Sequence, residues 1–269
     1  MEGIFNREEI KKNCDEFYSL YEVTEGRVYE MCQAKMIHTQ AVAANCVFIA
    51  RHMGLSEYDC DLAWVIGELH DFARFGQAMV TKSFRDTAQY NHAKFGARLL
   101  FVHGMIDDII LNYEQVCAED KLVMEKAVSH HSDWKLPDDL TPRQNLFCRI
   151  IREADQIDIF RTIATSTFET IYGCSKEEML ASADISDGIL AAFPRHELAD
   201  YAKRITLADF RLAHIALAFG LKTPAAKKLT IEQGHLRQLM DMEFDRPKVQ
   251  EKFLMAKQCV EEFFRLEAS

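Results

Sequence analysis

No proline occurs before Pro137, and that absence constrains the chain more than any other feature. A proline inside a helix removes a hydrogen bond and clashes with the preceding turn, so a long stretch without one can run in uninterrupted helices. Apolar residues recur at helical spacing through this stretch and beyond it, while the alternation of a half-buried strand is hard to find. Leu62, Val65, Ile66 and Leu69 form one stripe; Met36, Ala44, Val47 and Phe48 form another; Phe95, Leu99 and Val102 form a third. Phe147, Ile150, Ile151, Ala154 and Ile157 make a strong fourth, and Val260, Phe263 and Phe264 carry the pattern towards the end. The spacing predicts an all-α fold.

Breakers divide the helices. Gly54 closes the helix that carries His38, and Ser56 is placed to cap the next. The stretch SDWKLPDDLTPRQ, residues 132–144, reads as a polar loop, with Thr141 and Pro142 opening the following helix as cap and first residue. No internal repeat, low-complexity tract or Gly/Ser linker interrupts the chain. The expectation is a single all-α domain over residues 1–269, with a core at about 30–165 and a helical C-terminal extension at about 170–269.

Lys and Arg total 32 against 42 Asp and Glu, a net charge of −10, which argues against coating a nucleic-acid polymer. A small phosphorylated ligand in a locally positive or metal-filled pocket stays open. The eight cysteines form no CxxC pair and read as small buried hydrophobes in a reducing compartment. No apolar leader opens the chain, and no uncharged run reaches the roughly 18–20 residues of a membrane span. The cytoplasm is therefore the expected location, with no membrane partner; a homo-oligomer is left open.

The informative residues are polar ones set in apolar helices. GELHDFARFGQ, residues 67–77, places His70 beside Asp71 in an otherwise apolar stretch. His38 lies on the preceding helix, His92 opens NHAKFGARLL, His130 and His131 close EDKLVMEKAVSHH, and Asp155 sits inside LFCRIIREADQIDIF. A lone histidine on an apolar face is usually a satisfied core residue, and a helix-interior aspartate among isoleucines is badly placed on its own. Together, imidazole nitrogens and carboxylate oxygens that meet in a bundle are the ligands of zinc, manganese or iron. A metal offsets the carboxylate charge that a dry core would not tolerate. No P-loop, GxSxG elbow or Rossmann fingerprint offers a competing chemistry.

The order H…HD…H…HH…D, through His38, His70-Asp71, His92, His130 and Asp155, resembles the HD-domain superfamily of metal-dependent phosphohydrolases over about residues 30 to 165. The resemblance implies an HD-type helical bundle. It also implies one metal held by His38, His70, Asp71 and Asp155, and a second, bridged by Asp71, held by His92 and His130. Two divalent transition ions, of iron, manganese, zinc, nickel or cobalt, would then lower the pKa of water for attack on a nucleotide or other small phosphorylated metabolite. His131 is expected to replace or join His130, or to donate a proton, with His130 the favoured ligand. Arg74, where similar chains carry a lysine, is expected to hold phosphate oxygens. Trp134 and Lys135 are candidates to stack on a base and pair with a phosphate. Asp158 is expected to orient a neighbour rather than bind metal. The loop after His131 lacks GYP, and Ala34 stands where trinuclear relatives offer a glutamate, so the cyclic-dinucleotide branch is not expected. Two alternatives share the ligand set: a diiron oxygenase similar to inositol oxygenase or a phosphonate-cleaving relative, and an inactive HD module that only binds.

Overall fold

A computed structural model of the chain describes residues 4–21, 26–87 and 89–265. The fold is all-α, with no strand among the described residues beyond an isolated bridge between Thr87 and Tyr90. The chain forms two compact units, 1–155 and 156–269. The first starts well before the expected core, because an N-terminal helix belongs to it.

The first unit runs α1 (Arg7–Ser19), α2 (Arg27–His52), α3 (Glu57–Leu69), α4 (Arg74–Thr81), α5 (His92–Ala97), α6 (Ile106–Ile109), α7 (Ala118–His130) and α8 (Pro142–Thr165), whose residues up to Asp155 complete it. The stops fall where the sequence puts them. Gly54 takes a left-handed φ of 74°, and the Ser56 hydroxyl accepts from the Asp59 amide at 3.1 Å. The Thr141 hydroxyl accepts from the Gln144 amide while the Gln144 side chain accepts from the Thr141 amide, a reciprocal cap at the start of α8.

Helices α2 and α3 cross closely because Gly67 has no side chain. A Cβ there would stand 2.5 Å from the Ala43 Cα, a backbone atom that cannot swing aside. At the far end of the unit, Arg143 of α8 bonds Asp59 of α3 at 2.7 Å and Asp120 of α7 at 2.8 Å, and Tyr58 adds a 2.9 Å bond to Asp120. Eleven residues on from Asp59 is His70; eleven on from Asp120 is His131; twelve on from Arg143 is Asp155. At about 1.5 Å rise per residue the three chemical side chains lie at one level, some 16–18 Å from the brace. Helix α1 closes the unit: Phe17 stacks on Phe72 at 4.3 Å and Tyr18 on Phe75 at 4.1 Å, gripping the turn that carries Asp71.

Two expected stripes are corrected. On α5 the buried residues are His92, Ala93, Gly96 and Ala97, while Phe95 and Val102 are largely exposed. Small residues make the packing face here, because they let α5 approach the turn at Ala73. A π-helical turn at Arg98–Val102 then shifts the register of the residues after it. On α2 the exposed Ala44 drops out of the stripe, and Val42, Ala43, Cys46, Ile49 and Ala50 are buried instead.

In the second unit, past the end of α8, come α9 (Phe168–Tyr172), α10 (Lys176–Leu180), α11 (Asp187–Leu190), α12 (Leu207–Ile215), α13 (Pro224–Gln233), α14 (His235–Leu239) and α15 (Pro247–Arg265). Phe193, Phe219 and Phe253 fill its core. Its loops converge on the buried Asp209 carboxylate, which accepts from the amides of Ser186, Ile205 and Thr206. Asp158, expected to orient a neighbour, pairs with Arg161. Six of the eight cysteines, at 14, 32, 46, 60, 148 and 174, are buried as expected of small hydrophobes, whereas Cys117 is exposed and Cys259 half-buried. No helix among the described residues is long and apolar enough to cross a membrane.

Gly67→Ala is expected to destabilise the protein by about 1–3 kcal/mol, read as a lower urea midpoint, because the α2–α3 crossing must open. A second expectation concerns His214, which burial, and then Arg204 and Arg211, push down from an ordinary 6.5 to about 4. The unfolded chain binds that proton where the fold does not, so stability is full above about pH 7 and falls as pH drops towards 4, by on the order of 3 kcal/mol. Urea titrations of wild type and His214→Gln at several pH values test it: the variant should lose that part of the slope.

Candidate metal centre

The site is assembled from five places in the first unit. Lys35, His38 and Asn45 share one face of α2, at helical spacing with the apolar Val42. His70 and Asp71 sit in the turn after α3, His92 opens α5, and His131 follows the last turn of α7. Asn45 donates to the carbonyl of Ala154 at 3.2 Å, which clamps α8 to α2 and sets Asp155 beside His38.

Asp71 is buried at the centre. Its Oδ2 faces Nε2 of His70 at 3.3 Å and of His38 at 3.5 Å. Its Oδ1 faces Nε2 of His92 at 3.3 Å and of His131 at 3.7 Å. Asp155 adds a carboxylate oxygen 3.2 Å from His38 Nε2. Two imidazoles thus address each oxygen of one carboxylate. Two triads, His38–His70–Asp155 and His70–Asp71–His131, are each compact enough for one ion.

The tautomers make the fit to a cation specific. His70 Nδ1 lies 2.7 Å from the carbonyl of Gly67, and His131 Nδ1 lies 2.7 Å from that of Val128. A carbonyl oxygen only accepts, so each ring carries its proton on Nδ1 and, when neutral, turns a bare Nε2 lone pair inward. His92 does the same through Asp86, whose Oδ2 is 2.7 Å from His92 Nδ1. His92 and His131 then meet Nε2 to Nε2 at 2.9 Å, lone pair against lone pair. The Nε2 of His70, fully buried, makes no hydrogen bond at all. Acceptors facing acceptors around a carboxylate need positive charge between them, and outer acceptors fixing Nδ1–H are how ligating histidines are held.

The electrostatics agree. Burial works to raise the Asp71 carboxyl, yet the Lys35 ammonium, and after it the imidazoles around the carboxylate, hold it well below the usual carboxylate range. Burial likewise works to raise Asp155, and His38 brings it below its ordinary value. Asp86 is held down by its bond to His92 against the effect of burial. Burial lowers His92, so its ring is neutral near pH 7 and ready to ligate.

Of the residues expected here, the structure brings together His38, His70, Asp71, His92, His131 and Asp155. It does not bring in His130. That ring turns to Asp133 at 2.6 Å and to Lys94 at 2.8 Å, on the outer side of α7, so the preference for His130 over its neighbour is corrected. Arg74 is also employed differently. Its Nη1 bonds Gln77, Asp86 and the carbonyl of Phe84, and its Nε stands 3.4 Å from Asp71 Oδ1, so it braces the inner carboxylates instead of offering a free fork. Trp134 is 62% exposed and Lys135 pairs with Asp138, and neither contacts the cluster.

Sequence reasoning misses Lys35 and Asp86. The ammonium of Lys35 contacts Asp71 Oδ2 directly. Its position three residues before His38, on the same helical face, is the available signal. Asp86 lies in a loop six residues before His92, where no periodicity applies. Comparison with protein-family models, curated proteins and solved structures finds no match for this chain.

Lys35→Met is expected to destabilise the metal-free protein by about 3 kcal/mol, because it leaves the buried Asp71 charge undercompensated. Urea unfolding in EDTA measures it, and a double variant with Asp71→Asn should recover most of the loss. Equal midpoints for wild type and Lys35→Met would remove the ion pair from the account.

Proposed function

We propose that the first unit is a metal-dependent phosphohydrolase acting on a small phosphorylated substrate, with two divalent transition ions. The observation that carries the reading is the arrangement of two inward Nε2 atoms at each oxygen of one buried carboxylate. His38, His70 and Asp155 would hold one ion with Asp71 Oδ2; His92 and His131 would hold the other with Asp71 Oδ1. The ions, when bound, supply a water of lowered pKa and neutralise charge on a phosphoryl group.

The chain's own residues prepare that chemistry. Asp86 and the carbonyls of Gly67 and Val128 keep three imidazoles in the ligating tautomer. Arg74 holds Asp86 and Asp71 in place, so it acts through them. Lys35 brings an ammonium on an unbranched four-carbon stem against the carboxylate that the ions would share. With the ions bound, Lys35 would be free to meet a phosphoryl oxygen, the role that the sequence suggests for Arg74. The likeness of the residue order to HD phosphohydrolases, and a lysine facing the carboxylate centre, favour phosphoryl chemistry over oxygen chemistry.

Elemental analysis of anaerobically purified protein, followed by a screen of phosphorylated metabolites with manganese, cobalt, zinc or iron, tests the proposal. Two ions per chain and phosphate release are expected. Asp71→Asn should lose both, with circular dichroism unchanged. Oxygen consumption that requires iron and fails with manganese would transfer the site to oxygenase chemistry. Tight metal without turnover of any phosphorylated compound would make it a binding module.

A further inference from the structure

The second unit contains positive charge that its described residues leave without a carboxylate partner. Arg211 on α12 is buried at 5% exposure, yet every acceptor it finds is neutral. Its Nε donates to the carbonyl of Leu239 at 3.1 Å and its Nη1 to the Tyr172 hydroxyl at 3.3 Å. Phe168 lies under the guanidinium, 5.6 Å from its centre to the ring. A second guanidinium, Arg204, is held between the rings of Tyr201 at 4.4 Å and Phe210 at 4.5 Å, with the Tyr201 carbonyl as its acceptor. Neither arginine forms an ion pair among the described residues.

His214 ties the two together. Its Nδ1 is 3.3 Å from the Tyr172 hydroxyl, and its ring stands edge-on to Tyr201 at 6.2 Å. Both arginines are close enough to help keep this imidazole neutral, while no carboxylate acts on it from the other direction. Buried charges in proteins are paired, and an unpaired one is strongly unfavourable. One carbonyl at the end of the short α14 and a phenol offset part of that cost. Arg211 and His214 thus meet at the Tyr172 phenol, and Arg204 acts on the same imidazole from its place between Tyr201 and Phe210.

We propose that Arg204, Arg211, His214 and Tyr172 form a second binding site, in the 156–269 unit, for a small oxyanion, with phosphate the preferred form and an aromatic group tolerated beside it. Planar guanidinium groups match the oxygens of phosphate and carboxylate alike. Phe168 and Tyr201 supply ring faces for stacking, so a phosphorylated aromatic compound should bind more tightly than inorganic phosphate. The site is independent of the candidate metal centre and carries no ligand of it.

Calorimetric titration of the full chain in EDTA, with inorganic phosphate, phenyl phosphate and malonate in separate arms, tests the proposal. EDTA withdraws the ions through which the first unit would hold phosphate. Saturable phosphate binding is expected, tighter for phenyl phosphate, and weakened about tenfold or more in Arg204→Gln and in Arg211→Gln. The His214 ring resonances should shift with phosphate in wild type and not in Arg204→Gln. Preference for malonate would reassign the site to carboxylates and overturn the phosphate assignment. Should Arg211→Gln fail to fold, Arg204→Gln decides alone, since its side chain is only partly buried. No saturable binding, or binding that ignores both arginines, would reduce the cluster to a structural brace and end the proposal. Neither result bears on the metal centre, whose own test is metal content and turnover.

Discussion

A buried carboxylate at the meeting point of several helices is the constraint on which the first unit depends. Asp71 has almost no exposed surface, and its two oxygens face Nε2 of His38 and His70 on one side and of His92 and His131 on the other. Such a group survives in a core only if positive charge is arranged about it. The surrounding structure performs that task by several independent means. Lys35 comes from α2, Arg74 from α4, and a ring of imidazoles comes from different helices, three of them fixed from behind by an outer acceptor.

The rest of the unit is engaged in holding this level. The Arg143 brace joins the starts of α3, α7 and α8, and nearly equal helix lengths from that brace deliver His70, His131 and Asp155 to the same height. Gly67 lets α2 approach, which brings Lys35 and His38 across. The aromatic stacks from α1 grip the turn between α3 and α4. Rigid helices with a polar level part-way along them are a sound scaffold for ligands, because backbone hydrogen bonds keep the donor atoms from relaxing away from one another.

Much of the first unit is legible in the sequence because it rests on local rules. The stripe of Leu62, Val65, Ile66 and Leu69 is buried throughout, Ser56 and Thr141 cap where expected, and of the polar residues set in apolar helices all but His130 meet. The departures have a common cause. Phe95 and Val102 read as core by their chemistry, whereas α5 packs through Ala93, Gly96 and Ala97, and small residues carry little apolar signal. Arg74 reads as a ligand-facing fork because its partners Asp86 and the Phe84 carbonyl lie in an irregular loop that no periodicity describes. Lys35 escapes notice because a lysine beside apolar residues reads as a solvated one until a carboxylate is seen against it.

The sequence alone determined the all-α class, the helix boundaries at their caps, and the kinds of donor atoms present together with their order along the chain. These depend on the backbone geometry of single segments and on side-chain chemistry. Tertiary structure decided which of two adjacent histidines points inward, since neighbours on a helix differ by about 100° and only the packing of α7 against the rest sets its rotation. It also decided that Arg74 is a brace, that Lys35 faces Asp71, and that Arg204 and Arg211 find only neutral acceptors among the described residues. Each is a distance between residues far apart in the chain, and such distances are created only when the helices close on one another.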